Sequence, residues 1–251
     1  AYANHGLSMV PFFTFYSMFG LQRVGDLIWA AADSRARGFL LGATSGRTTL
    51  AGEGLQHQDG QSHLLALPVP NLLAYDPAFA FELAVIIQDG LRRLLEAGED
   101  VFYYITLLNE NVPQAPMPPD AREGILRGLY CFAGEPGASA VQLLGSGAIL
   151  YETIQARAFL QERFGITAAV WSATSYKALY TDACGTERWN RLHPDQPQQE
   201  PYLRRCLEAT PGPVVAATDY VRALPGCIGR WLGPRLYTLG TDGFGRSDGR
   251  G

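Results

Sequence analysis

The chain has 251 residues, 47% of them hydrophobic and 18% charged, with a net charge of −4; it can bury a sizeable core as one large domain or two of ordinary size, and it is not disordered, collagen-like or coiled-coil. A pI of about 5.6 leaves no whole-chain basic footprint for nucleic acid. No apolar run reaches the roughly 18 residues of a membrane span, and the four cysteines show neither CxxC nor zinc spacing, so they read as reduced thiols of a cytoplasmic protein.

The chain opens Ala1-Tyr2-Ala3-Asn4 and stops at Gly249-Arg250-Gly251, and the expectation is an internal piece of a longer polypeptide. Residues 11–32 read as one helix buried on most faces, because Phe12, Phe15, Phe19, Val24, Leu27 and Ile28 recur at helical spacing. Tyr16 and Phe19, three apart, would share a face of it, suited to core packing or to stacking on a flat heterocycle. Phe39-Leu40-Leu41 reads as a buried strand closed by Gly42. Residues 42–63 place glycines among Thr, Ser, His and Asp, the composition of a ligand-facing loop at the C-terminal end of a strand.

A strand is expected at Leu72–Tyr75, then a helix with Asp76 as N-cap and Pro77 in its first turn, ended by Gly98. Val101–Leu108 is a β-branched and aromatic strand. Residues 109–120, rich in proline, have linker composition, and Gly134–Gly137 forms a second Gly/Pro patch. The domains are therefore placed at 1–133 and 134–251. The second half alternates again. Strands are expected at Val141–Leu144, Ala168–Trp171, Val214–Ala217 and Leu236–Leu239, and helices at Ile149–Phe164, at Ser175–Tyr180 and from Thr218-Asp219. Alternating βα units imply an α/β protein with parallel sheets and helices on both faces.

Several motifs offer chemistry. His57, Asp59 and His63 resemble part of a two-His-one-carboxylate iron site, yet only six residues separate the histidines and no barrel pattern surrounds them. The same residues suit a polar loop whose histidines cap backbone groups, or a Gly-rich pocket in which His57 is an acid/base group over a ligand. Gly145-Ser146-Gly147 lacks the third glycine of a dinucleotide fingerprint and reads as a tight strand-to-helix turn. Ser45 is outside any GxSxG elbow, and Cys184 reads as a structural thiol although His193 follows it in the chain.

Taken together, Pro11–Gly25, Gly38–Ser62 (with TSGRTTLAGEGLQHQDG), Ala74–Phe81, Tyr103–Asn111 (YYITLLNEN), Val141–Ile149 and Leu239–Asp248 (LGTDGFGRSD) resemble the homodimeric type of pyruvate dehydrogenase, nearly end to end and in order. The resemblance implies two adjacent parallel-sheet α/β domains of the transketolase-like thiamine-diphosphate superfamily. These would be the later part of the middle, pyrimidine-binding domain and most of the transketolase C-terminal-like domain. It implies thiamine diphosphate and Mg²⁺ as cofactors, pyruvate as substrate, a homodimer, and a dihydrolipoyl acetyltransferase partner whose lipoyl domain accepts the acetyl group. It implies no contact with nucleic acid or membrane.

By motif position, His57 matches the family's active-centre histidine, where an imidazole suits proton transfer to a developing alkoxide. Phe19 matches the aromatic that stacks on the aminopyrimidine, and Tyr16 a tyrosine lining the site. No metal ligand is assigned within the chain: the Mg²⁺ ligands belong to the family's first domain, and the activating glutamate lies before Ala1. The loop departs from the family in carrying Gln58 and Gln61 where relatives often have Glu and His. The piece is expected to be inactive alone, to expose apolar area and associate, and to bind no thiamine diphosphate.

Overall fold

The computed structural model describes residues 9–50, 52–208 and 212–246. Two sheets divide the chain. The first is fully parallel, with strands β1 (Phe12–Tyr16), β2 (Phe39–Ala43), β3 (Leu72–Tyr75) and β4 (Phe102–Thr106) in the order β1-β2-β4-β3. Helices α1 (Leu21–Asp33), α2 (Ser62–Ala66) and α3 (Ala80–Leu91, continued by a π turn over Arg92–Glu96) connect them. One face of the sheet packs Phe39, Tyr103 and Ile105 against Val85, Ile86 and Leu94. The other packs Leu72, Ala74 and Tyr104 against Leu21, Ile28 and Ala32.

Short helix α4 (Ala121–Arg127) leads into the second sheet. Its strands are β5 (Tyr130–Ala133), β6 (Val141–Gly145), β7 (Ala168–Ser172), β8 (Val214–Ala217) and β9 (Leu236–Leu239), in the order β5-β7-β6-β8-β9. All pairs are parallel except β5 with β7. Tyr130–Ala133 therefore belongs with the second sheet. The helices here are α5 (Ile149–Phe164), α6 (Tyr176–Leu192), α7 (Tyr202–Leu207), and the short α8 (Ala223–Gly226) and α9 (Gly229–Leu232). Both domains are α/β, as the alternation predicts. No helix among the described residues is long and apolar enough to cross a membrane.

Three local expectations are corrected. Residues 11–32 are not one helix: Phe12–Tyr16 is an edge strand in register with Phe39–Ala43, Ser17–Phe19 a 3₁₀ turn, and the helix begins at Leu21. A run of Phe, Thr and Tyr has strong β propensity, and pairing with β2 overrides the helical spacing of its phenylalanines. Asp76 does not cap α3. Its Oδ1 accepts from Thr106 Oγ1 at 2.6 Å, while Glu82 reaches back to the N–H groups of Ala78 and Phe79 at 2.6 and 3.1 Å. No helix starts at Thr218-Asp219, whose side chains turn toward the first domain and the turn after β6.

The domains meet through polar groups. Backbone Asp76 N–H donates to Thr174 O at 2.8 Å, and Ser175 Oγ donates to Ala74 O at 2.5 Å. Glu82 Oε1 accepts from Tyr130 at 2.7 Å and Ser172 at 2.6 Å. Lys177, the sole lysine of the chain, is buried and donates to Ala66 O at 2.7 Å and also to Val69 O. Burial lowers its ammonium to about 8. Burial also raises Asp76 and Asp219 to about 6, against the pull of the hydrogen bonds each accepts.

Candidate active site

The loop that follows β2 crosses the C-terminal edge of the first sheet, the usual position for function in α/β folds. It folds back on itself through Glu53 N–H to Leu50 O and His57 N–H to Gly54 O, and Leu55–His57 is one 3₁₀ turn. That turn aims His57 at the end of β1. The His57 ring stacks on Tyr16 at 5.2 Å between centroids, 16° from parallel, and meets Phe19 edge-on at 5.5 Å. Tyr16 and Phe19 are themselves 5.8 Å apart. The three residues singled out from sequence thus lie together, though not on one helix: Tyr16 ends a strand and Phe19 ends the turn after it.

Glu53 completes the group, and sequence reasoning missed it. Its Oε2 lies 3.0 Å from His57 Nδ1. With the carboxylate accepting, Nδ1–H donates and Nε2 is left to meet a ligand. The signal was available in GEGLQH, an acid four residues before the histidine. The His57 side chain is 27% exposed and Tyr16 46%, so this aromatic and imidazole surface is open on one side. Arg23 lies over the Phe19 ring at 5.3 Å.

The other loop groups are structural. Asp59 is fully buried; its Oδ1 accepts from the N–H groups of Gln61 and Ser62 at 3.0 Å each and from Gln22 Nε2. His63 Nε2 meets Thr106 Oγ1 at 3.0 Å, and burial lowers its imidazole to about 4. His57, Asp59 and His63 therefore serve different partners, and no group of three His, Cys, Asp or Glu side chains among the described residues is placed to hold a metal. Gly145-Ser146-Gly147 is the tight turn between β6 and α5, its Gly147 N–H bonded to Asp76 O at 3.1 Å. Cys184 sits on α6, while His193 stacks on Trp189.

The second domain holds this loop. Asp219 Oδ2 accepts from the backbone N–H of Arg47 at 2.8 Å and of Thr48 at 3.1 Å. Arg47 Nη1 donates to Thr241 O, and Val221 N–H to Gly60 O at 2.9 Å. Gly46, at φ +77°, has no room for a side chain, since a Cβ would meet Asp219 Oδ2 at 2.2 Å.

Residues 1–115 match the pyruvate dehydrogenase E1 component middle domain, and residues 128–251 the transketolase-like C-terminal domain. The whole chain is 53% identical to the pyruvate dehydrogenase E1 component of Pseudomonas aeruginosa, covering 29% of that protein. Over its whole length the chain is similar to one segment of pyruvate dehydrogenase E1 components. The E1 component of Escherichia coli K12 is 49% identical over the whole chain, which covers 28% of it. That of Mycobacterium tuberculosis is 48% identical, with 27% of it covered.

The chain therefore spans between a quarter and a third of these E1 relatives. Among solved structures, transketolase from Campylobacter jejuni superposes on 96% of the chain and 32% of its own length with a TM-score of 0.72. Transketolase from Leishmania mexicana superposes on 96% and 31% with a TM-score of 0.68. At 16% and 20% identity these establish the fold alone.

Proposed function

We propose that this chain supplies one wall of the active centre of a thiamine-diphosphate- and Mg²⁺-dependent pyruvate dehydrogenase, an oxidative decarboxylase that passes its acetyl group to the lipoyl arm of a dihydrolipoyl acetyltransferase in the cytoplasm. One observation carries the reading: His57, oriented by Glu53, lies against Tyr16 and Phe19 in a chain about half identical throughout to E1 components. The half-open aromatic surface fits the ring end of thiamine diphosphate. The diphosphate and Mg²⁺ are assigned to the rest of the longer protein. When bound, the cofactor supplies the nucleophilic carbon and the electron sink for loss of CO₂.

The residues of this chain do the remaining work. Phe19 offers its face to the flat ring, and Tyr16 closes the side and excludes water. Glu53 fixes the His57 ring, so that Nε2 can donate to, or take a proton from, oxygen developing on the pyruvate keto carbon. The exposed edge strand β1, with Phe12 and Phe13 both exposed, is the surface assigned to the partner subunit of a homodimer.

The test uses the full-length protein: pyruvate-dependent ferricyanide reduction with thiamine diphosphate and Mg²⁺, beside His57→Ala and with 2-oxoglutarate as control. Pyruvate activity that falls about 100-fold in the variant supports the reading. Activity confined to 2-oxoglutarate, or none on either acid from a folded dimer, points instead to another enzyme of the transketolase superfamily or to a non-catalytic scaffold. Full activity in His57→Ala removes the role of that residue.

A further inference from the structure

Residue 58, next to His57, is a buried glutamine, only 3% exposed. Its amide does not point at the site. Nε2 donates to Arg246 O at 2.6 Å, and Oε1 accepts from Arg246 N–H at 2.7 Å. This is a reciprocal pair between one side chain and the backbone N–H and C=O of one residue 188 positions away. Nε2 also approaches Leu50 O at 3.4 Å, within the loop itself. The approach depends on Gly245, where a Cβ would lie 2.5 Å from Gln58 Oε1 and 2.6 Å from Gln58 Cβ. The second of those atoms cannot swing away, because it is fixed to the backbone beside His57.

The segment that carries Gly245 is itself anchored in the second domain. Thr241 N–H donates to Tyr220 O at 2.9 Å and Thr241 Oγ1 to Asp219 O at 2.6 Å. Arg222 N–H donates to Asp242 Oδ1 at 3.0 Å, and its guanidinium pairs with the same carboxylate at 2.6 Å. The backbone on the C-terminal side of His57 is thus tied, through one amide, to a segment fixed on the far domain. Glu53 orients the ring from the other side.

We propose that Gln58 is a positioning residue for His57, clasped from the second domain by the backbone of Arg246 through the close approach that Gly245 permits. The inference rests on the acid/base role given to His57 above. It assigns a task in the same site to the GTDGFGR segment: holding the imidazole where the reacting oxygen will be. A rigid frame matters because a displacement of about 1 Å can cost on the order of 100-fold in rate.

The experiment compares the full-length protein with Gln58→Ala, Gly245→Ala and the double variant. Gly245→Ala keeps every residue of the His57 loop and pries the clasp from the opposite side, so it serves if Gln58→Ala fails to fold. Hydrogen exchange of the peptides covering 52–60 is read first, and is expected to speed up in both single variants. The kcat/KM for pyruvate is then followed against pH. It is expected to fall between about 10- and 100-fold with a changed profile shape, and the double variant to lose no more than the worse single one.

Unchanged exchange at 52–60 in Gly245→Ala would overturn the clasp. A loss by one constant factor at every pH, the mark of a fraction of unfolded enzyme, would overturn its positioning role, as would losses that multiply in the double variant. The His57→Ala control fails separately: unaltered activity there refutes the role of His57, while the exchange result still decides whether the clasp exists.

Discussion

Glu82 is the sharpest test of how the two domains are joined. Its carboxylate is fully buried and divided in function. Oε2 takes the N–H groups of Ala78 and Phe79, and Oε1 takes the hydroxyls of Tyr130 and Ser172 from the second sheet. Glu82→Ala strands four buried donors, and at about 1 kcal/mol for each one left unsatisfied the loss should be about 3–5 kcal/mol. Glu82→Gln should cost less than about 1 kcal/mol. The amide oxygen can keep both N–H groups, and both hydroxyls can rotate to accept from the new NH₂.

The two side chains also differ in pH response. Burial raises the Glu82 carboxyl above its ordinary value despite its four hydrogen bonds. A raised folded value means the native state holds the proton longer than the unfolded chain, so this contribution is complete below the unfolded value and is lost as pH rises through the folded one. Stability of Glu82→Gln relative to the parent should therefore improve as pH rises above the unfolded carboxyl value. Urea unfolding at several pH values measures both effects. A glutamine as damaging as alanine, or a relative stability that improves toward acid, would refute the reasoning.

Lys177→Met keeps the aliphatic stem and strands the carbonyls of Ala66 and Val69, a loss of about 2 kcal/mol. The parent's lysine is lowered to about 8, so between there and the unfolded value near 10.5 the unfolded chain holds more protons. Thermal melts should show the parent gaining stability over that window through this group and the methionine variant lacking the gain. Gly46→Ala forces a Cβ against Asp219 and into a positive φ, and should lower stability by about 2 kcal/mol while speeding hydrogen exchange at Arg47 and Thr48. The groove of about 490 Å³ beside β1, lined by Phe13, Phe15 and Leu27, should make the chain self-associate. A Phe13→Lys variant should shift light scattering toward monomer.

Much of this was legible in the sequence. The strands at 72–75, 214–217 and 236–239 and the helix at 149–164 match the structure at both ends, because short β-branched or apolar runs bounded by Gly, Asp and Pro leave little choice of register. The first helix was misread because Phe12, Phe15 and Phe19 satisfy helical spacing and strand composition at once, and only the partner strand β2 decides between them. Asp76 looked like a cap since Pro follows it, but its Oδ1 accepts from Thr106 and Tyr220, neither near in sequence.

His57, Tyr16 and Phe19 were singled out through motif likeness and lie together, and Glu53 was within reach by spacing. The grip of Asp219 and Arg246 on the loop was not. It spans 171 to 188 residues and leaves no local pattern to read.

That reach has a consequence for biosynthesis. At about 5–20 residues per second, the ribosome delivers Arg246 roughly 10–40 s after Gln58. Until then the nascent loop lacks the acceptors and donors that give it shape, although the strand before it can already pair. The loop that carries His57 is therefore among the last parts of this region to mature. A chain that ended between the two domains would carry the first sheet and His57 without the contacts that fix the loop.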